Sequence, residues 1–163
     1  MFEILIDGPI EAVWHEITKT HEAQQAFFDT VLTTRGLAVG APFQMRSRSG
    51  KYAGVVGEVL ELVPPRRYGH TFRFTNFDDP PCKVYHELEE QGGRTLYRLR
   101  LVDLPAGTKT AKQMKQGAKL ITGTLKAMVE RGRPPLGTRL LFVLFRLLEP
   151  LSPKRCRVEH WPL

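Results

Sequence analysis

The side chains best able to do chemistry in this chain cluster in one alternating stretch. Tyr68, His70, Phe72 and Phe74 fall on one face of an extended strand, and Arg67, Gly69, Thr71 and Arg73 on the other. His86 and Tyr97 add two more polar aromatics on what read as the apolar faces of later strands. Buried Tyr and His usually pack their rings while the polar atom finds backbone or water. In a mostly apolar pocket the same groups orient a ligand. His70 is the strongest candidate, because it lies between Tyr68 and Phe72 and a neutral imidazole both donates and accepts a hydrogen bond. The chemistry on offer is hydrogen bonding to a small molecule, or proton transfer by a His or Tyr acting as general acid or base.

Other chemistries lack their residues. There is no Gly-x-Ser-x-Gly elbow and no His-Glu-x-x-His pair. Gly50-Lys51 has neither the earlier glycine nor the following hydroxyl of a phosphate loop. His15 and His21 lie six apart, which is not one-turn spacing. Cys82 and Cys156, the only cysteines, are too far apart in sequence to read as a disulfide framework or a metal knuckle. No catalytic residue is assigned, and no metal or cofactor is expected.

The elements that must position these residues follow from periodicity. Phe2–Ile6 reads as a strand. Pro9 opens a short helix carrying Ile10, Val13, Trp14 and Ile17 at helical spacing, and a second short helix is expected over Glu22–Phe28. From residue 31 the period changes to two. Strands are expected over Val31–Arg35, Pro42–Arg48, Tyr52–Val63 and Arg66–Phe74, with Gly54 and Gly57 marking a bend or bulge. Lys83–Glu90 and Arg94–Asp103 read as a hairpin around Gln91-Gly92-Gly93. Thr108–Gly132 reads as a long helix with Met114, Ala118, Ile121, Leu125 and Met128 on one face and Lys112, Lys115, Lys119 and Lys126 on another. This order indicates an α+β fold, with the long helix covering an antiparallel sheet.

Charge is uneven. Residues 1–107 carry 12 Lys and Arg against 14 Asp and Glu, residues 108–132 carry six against one, and residues 133–163 carry six against two. The helix lysines are expected to be a solvated face, and nucleic acid is not an expected partner. The chain shows no signal-peptide pattern, so a cytoplasmic location is expected.

The resemblance is to the helix-grip (START, Bet v 1-like, SRPBCC) superfamily, in the bacterial branch similar to the activator of the heat-shock-protein ATPase. It rests on Ala12-Val13-Trp14 after Pro9, on the run Gly57 to Pro65, on Tyr68-Gly69-His70-Thr71-Phe72, and on Leu125 to Glu130 closing the helix. It covers residues 2–131 and implies a curved sheet gripping the long helix, with a cavity between them. Phe72 and Ala118 stand where the family often has Trp, so either the cavity is enlarged or the tail fills it. The resemblance and the residue pattern together give a binding module for a small hydrophobic or aromatic molecule. Its candidate contacts are Trp14, Phe43, Tyr68, His70, Phe72, His86, Tyr97, Met114 and Ala118. The alternatives are an aromatase/cyclase-like enzyme and a co-chaperone-like protein-interaction module.

The tail stands apart. Residues 1–132 are expected to form the helix-grip domain, and 133–163 an extension rather than a second domain. Gly137–Glu149 reads as a helix apolar nearly all round, interrupted only by Arg139 and Arg146. Such a helix must be buried. A homodimer through the extension is the expectation, and peripheral membrane contact the runner-up.

Overall fold

The computed structural model describes residues 1–163. One antiparallel sheet of eight strands runs in the order β1-β8-β7-β6-β5-β4-β3-β2. The strands are β1 (Phe2–Ile6), β2 (Ala23–Gln24), β3 (Thr30–Thr34), β4 (Pro42–Arg46), β5 (Ala53–Val63), β6 (Arg67–Phe74), β7 (Cys82–Gln91) and β8 (Arg94–Val102). The helices are α1 (Ile10–Thr18), α2 (Lys109–Arg131) and α3 (Leu136–Leu148). This is the α+β helix-grip architecture that the residue pattern and the resemblance implied.

The sheet curls because β5 carries two register shifts. One falls at Gly54, where Met45 pairs with Val55 and Arg46 with Ala53. The other falls at Leu60, between the Val59–His70 and Glu61–Gly69 pairs. Each adds a residue to one strand and bends it. Gly57 serves a different need: a Cβ there would collide with the Thr71 carbonyl and sit 2.7 Å from the Phe43 ring.

The long helix is capped at both ends. Thr108 Oγ1 accepts from the Ala111 N–H at 3.1 Å, and Asp79 Oδ2 accepts from the Thr110 N–H at 2.9 Å. Gly132 ends the helix at φ +71°, donating its N–H to the Met128 carbonyl. The two halves of α2 do different work. In the C-terminal half, Leu125 is fully buried with Ile6, Ile10, Val13 and Ile17. Lys126 donates to the Leu5 carbonyl and pairs with Glu130, so only Lys112, Lys115 and Lys119 of the expected basic face stand exposed. The N-terminal half, with Met114 and Ala118, faces a cavity instead.

One expectation is corrected. The helix expected over Glu22–Phe28 is a two-residue strand followed by one 3-10 turn, Gln25–Phe27. Phe28 and Asp29 both take positive φ, near +60°, which breaks any helix at that point. The tail helix α3 is covered by its own domain on one side only, which leaves its remaining apolar surface to the partner the sequence reading expects. Only Thr138 and Phe142 are buried, while Leu136, Leu140, Val143, Leu144, Leu147 and Leu148 are exposed. The reason is that its own domain occupies one side of the helix. Beyond α3 the chain passes the β4–β5 turn, where the Val158 N–H donates to the Lys51 carbonyl. It ends on the sheet's outer face, with Trp161 beneath the Arg73 guanidinium and its carbonyl bonded to Gln44.

Candidate functional site

The alternation of β6 and β7 sends one set of side chains into the concave side of the sheet. Register puts Tyr68 directly opposite His86, and His70 two residues along. The Tyr68 and His86 rings stack at 5.5 Å and 12°, His70 and His86 lie 5.6 Å apart, and Phe43 from β4 meets His70 edge-on at 5.0 Å. Phe27, from the turn that replaces the expected helix, meets His86 edge-on at 5.6 Å. Three aromatic side chains with polar atoms therefore form one patch in an apolar wall.

This patch floors a cavity of about 770 Å³ between sheet and α2. Phe43, Tyr68, His70, Phe72, His86, Met114 and Ala118 line it. Tyr97 and Trp14 do not. Tyr97 is fully buried below His86, its hydroxyl 2.8 Å from His86 Nδ1. Trp14 packs from α1 against the core. Residues not foreseen also contribute, notably Phe28, Leu101, Gln113, Ile121, Phe142 and Phe145.

Hydrogen bonding fixes what the patch can offer. The Thr71 carbonyl can only accept, so His70 Nδ1 carries the proton of that 2.9 Å bond and Nε2 is left as an acceptor. Neither His70 Nε2 nor the Tyr68 hydroxyl bonds to another protein group. Burial lowers the His70 pKa from 6.5 to about 4, with the Thr71 carbonyl pulling weakly the other way. Burial, and then the charge of His70, push His86 well below its ordinary value. Burial raises both Tyr68 and Tyr97. The patch is thus uncharged at neutral pH, with donors and acceptors in an apolar setting.

The mouth is strapped. Asp29, almost wholly buried, receives Arg48 Nη2 at 2.8 Å on one carboxylate oxygen and Arg146 Nη2 at 2.7 Å on the other. Arg146 comes from α3, as does Phe145, whose ring lies 6.4 Å from that of Phe28. Glu149, just beyond α3, accepts from the Ser49 hydroxyl in the β4–β5 turn. Gly117 leaves room for Phe28 on α2, since a Cβ would come within 3.1 Å of that ring. The signal for the strap in the sequence was Arg146 itself, a charge inside an apolar run that needs a partner.

Residues 7–130 match the family described as "Activator of Hsp90 ATPase homolog 1-like protein". No curated protein matches the chain. Among solved structures the chain is similar to CalU16 from Micromonospora echinospora, at 20% identity and TM-score 0.61, covering 87% of this chain and 80% of that one. It is similar to the Aha1 dimer from Colwellia psychrerythraea, at 18% identity and TM-score 0.65, covering 80% and 95%. It is also similar to PFC0360w, an HSP90 activator from Plasmodium falciparum, at 19% identity and TM-score 0.61, covering 82% and 96%. At these identities the likeness is one of fold.

Proposed function

The chain belongs to the Activator of Hsp90 ATPase homolog 1-like family, and from that fold and its cavity we propose that it binds a small, largely apolar aromatic molecule carrying a hydrogen-bonding group. The observation that carries this reading is the uncharged patch of Tyr68, His70 and His86 in the wall of a 770 Å³ cavity. That volume lies in the usual range for small-molecule sites, which are apolar with a few placed polar groups. A free His70 Nε2 accepts from a ligand hydroxyl, and the surrounding rings stack on its aromatic body.

The same patch speaks less for proton abstraction of an aromatase/cyclase kind. A general base works best with a pKa near the working pH. His70, at about 4, is a weak base at neutrality. A protein-contact role like that named for the HSP90 activator would use the outer surface and leave the cavity without work. The test is fluorescence titration with 2-naphthol, using the wild type and Ala118→Trp. The indole would occupy the space beside Met114, so saturable binding to the wild type and its loss in the variant support the reading. Equal binding to both, or none to the wild type, ends it.

A further inference from the structure

We propose that α3 is a docking surface that seats this protein on an anionic phospholipid bilayer. The claim stands apart from the identity of the cavity's occupant. Its first support is the one-sidedness of α3. Thr138, Phe142 and Arg146 are engaged by the domain, so the helix needs no polar outer face. The outer face that remains is a continuous apolar stripe: Leu136, Leu140, Val143, Leu144, Leu147 and, just past the helix, Leu151. Leu136, Leu140, Leu147 and Leu151 are each more than 60% exposed, so this face is open rather than grazed by neighbours. A contiguous exposed apolar patch marks an association surface.

Charge selects the occupant. Arg133, Arg139 and Lys154 are exposed, and none has a carboxylate within ion-pair distance. The tail's two acids do not offset its cations: Glu149 accepts from the Ser49 hydroxyl, Glu159 lies 3.9 Å from Arg157, and residues 133–163 carry six Lys and Arg against two Asp and Glu. A second copy laid on this face would set unpaired cations against unpaired cations, which is unfavourable. Anionic headgroups complement them, and the leucine stripe enters the acyl boundary as an interfacial helix does. The helix is 13 residues, about 20 Å long, and no helix here is long and apolar enough to cross a membrane, so α3 lies in the surface plane.

The experiment is co-sedimentation of the full chain with vesicles of phosphatidylcholine alone and of phosphatidylcholine mixed with phosphatidylglycerol. Leu140→Gln/Leu147→Gln and Arg133→Gln/Arg139→Gln/Lys154→Gln are compared with the wild type. All five positions are exposed, and unchanged melting confirms that the fold survives. The wild type is expected to pellet with the mixed vesicles and far less with phosphatidylcholine alone. The charge variant should lose on the order of a hundredfold in partition, and the leucine variant roughly tenfold or more. A wild type that stays in the supernatant overturns the proposal, as does a leucine variant that pellets equally. A wild-type dimer in light scattering that the leucine variant makes monomeric, with no vesicle binding by either, overturns it in favour of a second copy.

Discussion

Truncating Leu125 and Met114 to alanine, one at a time, separates the two halves of α2. Leu125 has no exposed surface and sits among Ile6, Ile10, Val13 and Ile17. Its loss forfeits the transfer of the removed carbons, roughly 2 kcal/mol. The void left behind adds a cavity term of roughly 24 cal/mol per Å³, giving about 3–4 kcal/mol in all. For a chain of this size that lowers the melting temperature by roughly 10 °C. Met114 also points at the sheet, but it borders a space of about 770 Å³ that already exists. Contacts are absent on its open side, so truncation enlarges a void rather than creating one, and the cost falls to the transfer term, about 2 kcal/mol. Urea unfolding followed by circular dichroism measures both. Costs equal to within about 0.5 kcal/mol would mean that the N-terminal half of α2 packs as solidly as the C-terminal half, and the cavity would be refuted.

Two other outcomes follow from the same geometry. Unfolded His70 binds a proton below about 6.5, but the buried imidazole does so only near 4. Between these values the unfolded chain holds the extra proton, so the contribution of neutral His70 to stability is complete above 6.5 and lost as the pH falls toward 4. His86 acts in the same direction. The loss from His70 is about 3 kcal/mol, and His70→Phe should show a smaller fall in melting temperature between pH 7 and 4.5; an unchanged fall would refute the burial argument. Arg146→Ala removes a half-exposed partner of Asp29, costing less than about 1 kcal/mol. It should nonetheless speed 2-naphthol exchange in stopped flow, and equal rates would mean that α3 does not gate the mouth.

The legible parts of this fold are those specified by local pattern. The Tyr68–Phe74 alternation, the Gln91-Gly92-Gly93 turn and the Thr108–Gly132 span of the long helix each needed only neighbouring residues to read. The bulge at Gly54 was signalled by glycine inside a long strand. What escaped depends on distant partners. Glu22–Phe28 is expected as a helix, but the positive φ at Phe28 and Asp29 aims the Asp29 carboxylate at Arg146, 117 residues away. Tyr97 shares a strand face with residues that look like wall, yet its hydroxyl is taken up by His86 and its ring lies below the cavity. The tail helix is apolar nearly all round in sequence, and that pattern does not tell which side its own domain claims.

The central claim is that an uncharged polar patch in the cavity wall recognises a polar aromatic ligand. Its most direct test compares 2-naphthol with naphthalene, which differ by one hydroxyl, on the wild type and on His70→Ala by competitive titration. The account expects His70→Ala to weaken 2-naphthol about fivefold more than naphthalene, the worth of one hydrogen bond of about 1 kcal/mol. Equal weakening of both ligands would contradict it, because His70 would then contribute only packing.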